Sequence, residues 1–314
     1  MEAKGKTIFG RGKLRKNVKW GKVHFIFLAA LMFLLIGIGQ SEEAGKPLVL
    51  QELTWTDVQE YLTTNDMVII PIGSTEQHGP HLPLGTDSYI ATDISKMISA
   101  RTGVVVAPVL LVGYSVYHSG FPGSLSLKPE TMEQVLFETA EMLIKYGFRR
   151  IMFMNGHGGN AIVQSKVIHR INHNTEAIAV ALGDYVPRKA EPPKDWFDQH
   201  AGFQETSVML YLEPDLIRMD RAEKPKIHLS EVAEKYLAHG RKNPELMGIF
   251  WSLLGTPEET GKGGASHQIS SNGVWSFSDP KDAKKEIGER FINQRVESAV
   301  KLIEAWKQVP PEKK

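Results

Sequence analysis

Residues 67–87 read Met-Val-Ile-Ile-Pro-Ile-Gly-Ser-Thr-Glu-Gln-His-Gly-Pro-His-Leu-Pro-Leu-Gly-Thr-Asp. The first six, residues 67–72, form an unbroken apolar run rich in Ile and Val, which predicts a buried strand. At Gly73 the run breaks into a polar loop that carries Glu76, His78, His81 and Asp87. Glu76, His78 and Asp87 offer two carboxylates and an imidazole, donors that suit a divalent cation. Glu76 and His78 are two residues apart, so in extended chain their side chains point the same way. Gly79, Pro80, Pro83 and Gly85 then turn the chain so that Asp87 can return to the same point.

Outward from this stretch the pattern alternates. A short capped helix is expected over 56–62, before the strand. A helix follows over 88–101, with Ile90, Ile94, Met97 and Ile98 at helical spacing, and a second strand over 104–109. Residues 110–126 form a long loop with three aromatics, a length that in a compact domain signals function. Then come a helix over 129–146, a strand over 149–154, a second polar loop over 155–160, a helix over 161–173 and a strand over 177–182. A linker rich in Pro and charge over 187–198 leads to a short helix at 207–212. The region 224–278 is poorly patterned apart from a helix expected near 231–239 and a Gly-rich loop over 255–264, and a final long helix runs from about 279 to 307. The order is helix, then βαβαβα. It predicts an α/β fold of three layers, with a mainly parallel central sheet and helices on both faces. Ligands gather at the carboxyl ends of such strands, where both polar loops lie.

Composition narrows the chemistry. The 314 residues are 42% hydrophobic and 23% charged, enough for one large domain over 45–314. There is no Cys, so any metal must sit in nitrogen and oxygen ligands. The net charge of +1 hides an asymmetry: residues 1–22 carry eight basic residues and one acid, and the remainder has 29 basic against 35 acidic residues. The folded part is therefore mildly acidic, with no basic stripe, and a nucleic-acid partner is excluded. The basic segment precedes a 14-residue apolar run over 25–38 and a polar stretch over 40–43. This is the layout of an export signal. Residues 1–44 are expected to direct the chain out of the cytoplasm, either as a cleaved signal or as a membrane anchor through residues 23–39. That segment would be the sole membrane contact.

Three segments now stand together: residues 73–87, Asn-Gly-His-Gly-Gly-Asn at 155–160, and His-Ala-Gly-Phe-Gln-Glu-Thr-Ser at 200–207. In this order they resemble the signature segments of the creatininase (creatinine amidohydrolase) family, with a weaker likeness at 273–280. The resemblance implies a dinuclear metal hydrolase of cyclic amides or related C–N bonds, assembled as a homo-oligomer, usually a hexamer. It implies that Glu76, His78, Asp87 and His157 bind metal, with Asp87 bridging two ions. Creatininase proper has a metal-ligating Glu two residues after this His, where the present chain has Gly159. Glu205 is the candidate for the vacancy, as a ligand and catalytic carboxylate or as the acceptor that orients a ligand histidine. Trp196 and His200 match a Trp and a His that contact substrate. The Asp following that Trp is Phe197 here, which speaks against creatinine itself.

The residues agree with this chemistry. Two divalent ions can activate a water and polarise a carbonyl, and the leaving nitrogen needs a proton. His200 is the expected acid. Zn²⁺ is the first choice of ion, with Mn²⁺ or Fe²⁺ also suited to mixed oxygen and nitrogen ligands. The expected partner is a small-molecule amide substrate. A formamide- or peptide-type hydrolase on the same metals, and a non-catalytic metal or small-molecule binder, are the alternatives. His118 and Ser119, in the aromatic loop, are candidates for the substrate pocket, and His81 for a supporting position behind the ligands. His169 and His173 are four apart on a helix but have no acidic partner nearby, so a solvated face is expected. No P-loop lysine follows Gly158-Gly159, which argues against a phosphate site there.

Overall fold

The computed structural model describes residues 45–183 and 198–309. The expected signal or anchor segment and Trp196 lie outside the described residues. Among those described, no helix is long and apolar enough to cross a membrane.

Helix α1 (Trp55–Tyr61) leads into strand β1 (Met67–Ile72), and helix α2 (Thr86–Thr102) crosses over to β2 (Val105–Val106). Helix α3 (Pro129–Tyr146), strand β3 (Arg150–Asn155), helix α4 (Ala161–Asn174) and strand β4 (Ile178–Leu182) follow. The sheet order is β2-β1-β3-β4. All three pairings are parallel, with Val68 opposite both Val105 and Ile151, and Ile151 opposite Ala179. The three-layer architecture expected from the sequence is present. Its cause is visible in the alternation of side chains along each strand. Met67 and Ile69 of β1 and Met152 and Met154 of β3 enter one core cluster with α2. Helices α5 (Phe203–Leu212) and α9 (Lys285–Lys307) cover the same face. Val68, Ile70 and Ile72 with Ile151 and Phe153 enter the other cluster, under α1, α3 and α4. Every residue of β1 is buried, so the unbroken apolar run reflects helices on both sides.

Three boundaries differ from the sequence reading. Strand β2 is two residues long, not six. Pro71 on β1 and Pro108 beyond β2 have no N–H to extend the ladder, and only an isolated bridge, Ile72 to Leu110, continues it. Helix α2 starts at Thr86, not 88, and α5 at Phe203, not 207. Asp87 and Glu205 therefore sit in the first turns of helices, where free N–H groups and the helix dipole favour a carboxylate. Strand β5 (Asp198–His200), which the sequence pattern did not mark, opens at the last residue of the expected linker. It pairs antiparallel with β6 (Trp275–Ser276), which sets His200 beside Trp275. Between them lie α6 (Glu231–Gly240), matching a helix expected near 231–239, and α7 (Met247–Leu253) and the short α8 (Ser266–Ile269), which the sequence pattern did not mark.

Candidate metal centre and active site

The site stands where β1 and β3 end. Backbone bonds hold its two loops to the sheet and to each other. Gly73 N–H donates to Leu110 O and Glu76 N–H to Leu84 O, both at 2.9 Å. Gly156 N–H donates to Ile72 O at 2.9 Å. The Asn160 amide donates to Gly73 O at 2.9 Å, tying the end of the second loop to the start of the first.

Glu76, His78, Asp87, His157 and Glu205, all named from sequence, converge in this place. Glu76 Oε1 and Asp87 Oδ2 each lie 3.2 Å from His157 Nδ1. The other oxygen of Asp87, Oδ1, lies 3.3 Å from His78 Nε2, and Glu205 Oε2 lies 3.8 Å from the same nitrogen. Asp87 thus stands between two donor sets, one oxygen toward each. Both histidines have their remaining nitrogen committed. His157 Nε2 donates to Tyr114 O at 3.0 Å, and His78 Nδ1 to Glu76 O at 3.1 Å. A backbone acceptor on one nitrogen fixes the tautomer and leaves the other lone pair facing the cluster.

The donors fit metal ions by their own chemistry. His78 Nε2 and Asp87 Oδ2 are buried and have no hydrogen-bond partner, and buried Glu76 Oε1 meets ring nitrogens of His157 and His118, each at 3.2 Å. Buried polar atoms without partners are rare in folded proteins, and carboxylates and imidazoles gathered at one point fit a cation between them. The electrostatics agree. Burial disfavours a charged His78, yet the negative charge of Asp87, and then of Glu205 and Glu76, outweighs it and holds the ring up to about 10. His157 is likewise held well above the usual imidazole range, burial being overcome by Glu76 and Asp87. Burial works against ionisation of Glu76, but His157 and His118 keep it well below the carboxylate range. Burial pushes Glu205 up to about 7; His78 opposes this, and Asp87 adds to it. Protons on the histidines balance the acids, and divalent ions would displace them.

The remaining candidates divide. His200 is in the site: its Nδ1 is 3.7 Å from Glu76 Oε1, and its ring lies 4.2 Å from that of His78. Burial, and then the charge of His78, hold His200 well below the imidazole range, which favours the neutral ring. His118 is also present, with Nε2 3.2 Å from Glu76 Oε1. His81 is buried behind the cluster and meets Thr206 Oγ1 at 2.9 Å, the supporting place expected of it. Burial lowers its pKa to about 4. Ser119, by contrast, is exposed and lines no part of the cavity, so the sequence was wrong to seat it in the pocket. Its neighbour in the single turn at 116–118 points inward, and Ser119 falls on the other side. His169 and His173 stack on an exposed helix face, as expected.

Sequence reasoning missed Gln77 and Ser266, both buried against these histidines, and the wall residues Tyr117, Trp251 and Trp275. Gln77 could have been noticed as the opposite-parity residue between Glu76 and His78, which must point away from the ligands. Ser266 and the tryptophans carried no local signal. A cavity of about 620 Å³ opens over the cluster; Tyr114, Tyr117, Trp251, Leu254 and Trp275 form its walls and Gly158-Gly159 lies beside the ligands. At Gly159 a Cβ would lie 2.5 Å from His157 Nε2, Tyr114 O and Tyr117 Oη, so the position where creatininase carries a ligating Glu admits no side chain.

Comparison with known proteins agrees with this geometry. A family model described as Creatininase: Creatinine amidohydrolase matches residues 51–303. A mycofactocin precursor peptide peptidase of Mycolicibacterium smegmatis is 34% identical over 255 residues, covering 76% of this chain and 85% of that protein. A creatinine amidohydrolase of Pseudomonas putida is 32% identical over 198 residues, 56% of this chain and 76% of that protein. A crystal structure of creatinine amidohydrolase superposes with a TM-score of 0.65 at 23% identity, covering 85% of this chain and all of that one. Further creatininase structures, at TM-score 0.64, are described as Zn-Zn type and as Mn. With the family model spanning most of its length and the donor cluster in place, the chain belongs to the creatininase family of hydrolases.

Proposed function

We propose that this protein hydrolyses an amide C–N bond at a pair of divalent metal ions, and that its substrate is a peptide-type amide larger than creatinine. The observation that carries the reading is Asp87, with one oxygen at 3.2 Å from His157 and the other at 3.3 Å from His78. Glu76, Asp87 and His157 would hold one ion, and His78, Asp87 and Glu205 the other. Bound ions would supply a Lewis acid for the carbonyl and lower the pKa of an attacking water; Zn²⁺ and Mn²⁺ both suit the donors. Water adds to the carbonyl carbon and the C–N bond breaks, giving a carboxylate and an amine. His200 begins neutral with its Nδ1 toward the cluster, so it first accepts a proton from the water and then delivers it to the leaving nitrogen. The expected acid is thus a base before it is an acid.

Substrate size rests on the cavity. Its roughly 620 Å³ exceeds the need of a single five-membered ring, and its walls are largely aromatic. The similarity to a peptide peptidase over 85% of that protein supports the same choice. The full-length chain, stripped of metal and reconstituted with Zn²⁺ or Mn²⁺, should bind two equivalents and cleave short peptides with bulky apolar residues better than creatinine or formamides. Glu76→Gln should lose metal and activity together. A folded chain that binds fewer than two equivalents overturns the dinuclear reading, and preference for creatinine overturns the substrate reading. Export or membrane anchoring by residues 1–44 and assembly as a homo-oligomer, a hexamer by resemblance, belong to the same proposal, to be tested by cell fractionation and light scattering.

A further inference from the structure

The Gln77 carboxamide meets four groups. Its Nε2 lies 3.0 Å from His118 Nδ1, 3.0 Å from His200 Nε2, 3.1 Å from Ser266 Oγ and 3.1 Å from Gly273 O. Its Oε1 accepts the Gly79 N–H at 2.9 Å. A backbone donor on the oxygen and a backbone acceptor on the nitrogen fix which end is which. One amide hydrogen goes to Gly273 O, and Ser266 Oγ takes the other.

The hydroxyl of Ser266 is fully buried. Its other neighbour within hydrogen-bond reach among the described residues is His118 Nδ1, at 2.6 Å. Gln77 Nε2 is a donor, so the Ser266 hydrogen has one place to go: His118 Nδ1, which must be bare. The proton of the neutral ring then sits on Nε2, aimed at Glu76 Oε1 3.2 Å away. The opposite arrangement, with Nδ1–H donating to Ser266, strands a buried hydroxyl hydrogen.

His200 is fixed the other way. Its Nε2 lies 2.6 Å from the Gln77 backbone oxygen, a contact that two lone pairs could not sustain, so Nε2 carries the hydrogen. Its Nδ1 is then bare, 3.7 Å from the same Glu76 oxygen. We propose that Gln77 and Ser266 are positioning residues that set two neighbouring histidines in opposite senses: His118 as a donor to Glu76, and His200 as a proton acceptor over the cluster. His118 on this account orients Glu76 and is not a metal ligand.

The tautomer assignment does not depend on the hydrolase reading; its kinetic consequence does. In full-length chain labelled with ¹⁵N-histidine and freed of metal, long-range ¹H–¹⁵N spectra should show the His118 hydrogen on Nε2, with the signal identified by its loss in His118→Asn. Ser266→Ala should move hydrogen onto Nδ1, leave the two metal equivalents in place, and lower kcat about ten- to a hundredfold with little change in KM. Ser266→Thr, which keeps the hydroxyl, should restore both. Nδ1–H in the unmodified chain overturns the proposal, as does a Ser266→Ala variant with the original tautomer and full kcat. A chain with the expected tautomer and no amidase activity would remove the hydrolase reading alone.

Discussion

Replacing Gly159 by alanine adds one methyl group, and the structure specifies where it lands. The new Cβ would stand 2.5 Å from His157 Nε2, from Tyr114 O and from Tyr117 Oη. Two of these atoms are the hydrogen-bonded pair that fixes the His157 tautomer, at 3.0 Å. Ordinary contact begins near 3.4 Å, so each of the three neighbours falls about 0.9 Å short of it, and one of them is backbone. Metal–ligand distances tolerate about 0.2 Å. The methyl therefore displaces His157 by more than an ion bound to it would accept, at a packing cost of about 1–3 kcal/mol. Metal affinity at this position should fall roughly 10–100-fold, comparable to the loss of an orienting partner, and the melting temperature by several degrees. Metal titration by calorimetry and thermal unfolding read both effects. Gly158→Ala is the control, because its Cβ meets nothing within 4 Å and should leave both unchanged. A Gly159→Ala protein with two tightly held equivalents and the parental melting temperature would refute the reasoning.

Other perturbations separate chemistry from architecture. His200→Ala should retain both metal equivalents and lose about 10²–10⁴-fold in kcat; full turnover would remove His200 from proton transfer. Asp93 is held up to about 6 by burial, then by Glu213, against the pull of Lys96. Its carboxyl is raised in the fold, so ionisation destabilises: the penalty is full above pH 6 and is lost as pH falls toward 4. After allowance for its partial exposure, Asp93→Asn should gain about 1 kcal/mol at pH 8 and nothing near pH 4. Melting curves across that range test it, and a gain independent of pH contradicts it. Arg150 pairs with Asp66 Oδ1 through Nε at 2.6 Å and donates to Trp306 O at 2.9 Å. Arg150→Met should cost about 2 kcal/mol in denaturant unfolding by leaving the partly buried Asp66 without its partner, and adding Asp66→Leu should recover part of it.

The sequence by itself determined the parallel sheet and which carboxylates and histidines gather at the end of its central strands. An apolar run without alternation needs helices on both faces, and polar loops that directly follow two such strands must emerge at the same edge of the sheet. Glu76, His78 and His157 were legible for that reason, each lying close after a strand end, and Asp87 because the Gly and Pro turns of the first loop return the chain to the same place. Glu205 was read as a candidate, and the start of α5 at Phe203 brings it toward His78. What the sequence did not contain is the β5–β6 pair, which joins residues 75 positions apart and sets Trp275 beside His200. Nor did it contain the network in which Gln77 meets His118, His200 and Ser266 across separations of up to 189 residues. Ser119 was misplaced because a single turn decides which side of the loop faces inward. Such choices come from packing between distant segments, whose closure is decided by the fold as a whole and leaves no periodic trace in the chain.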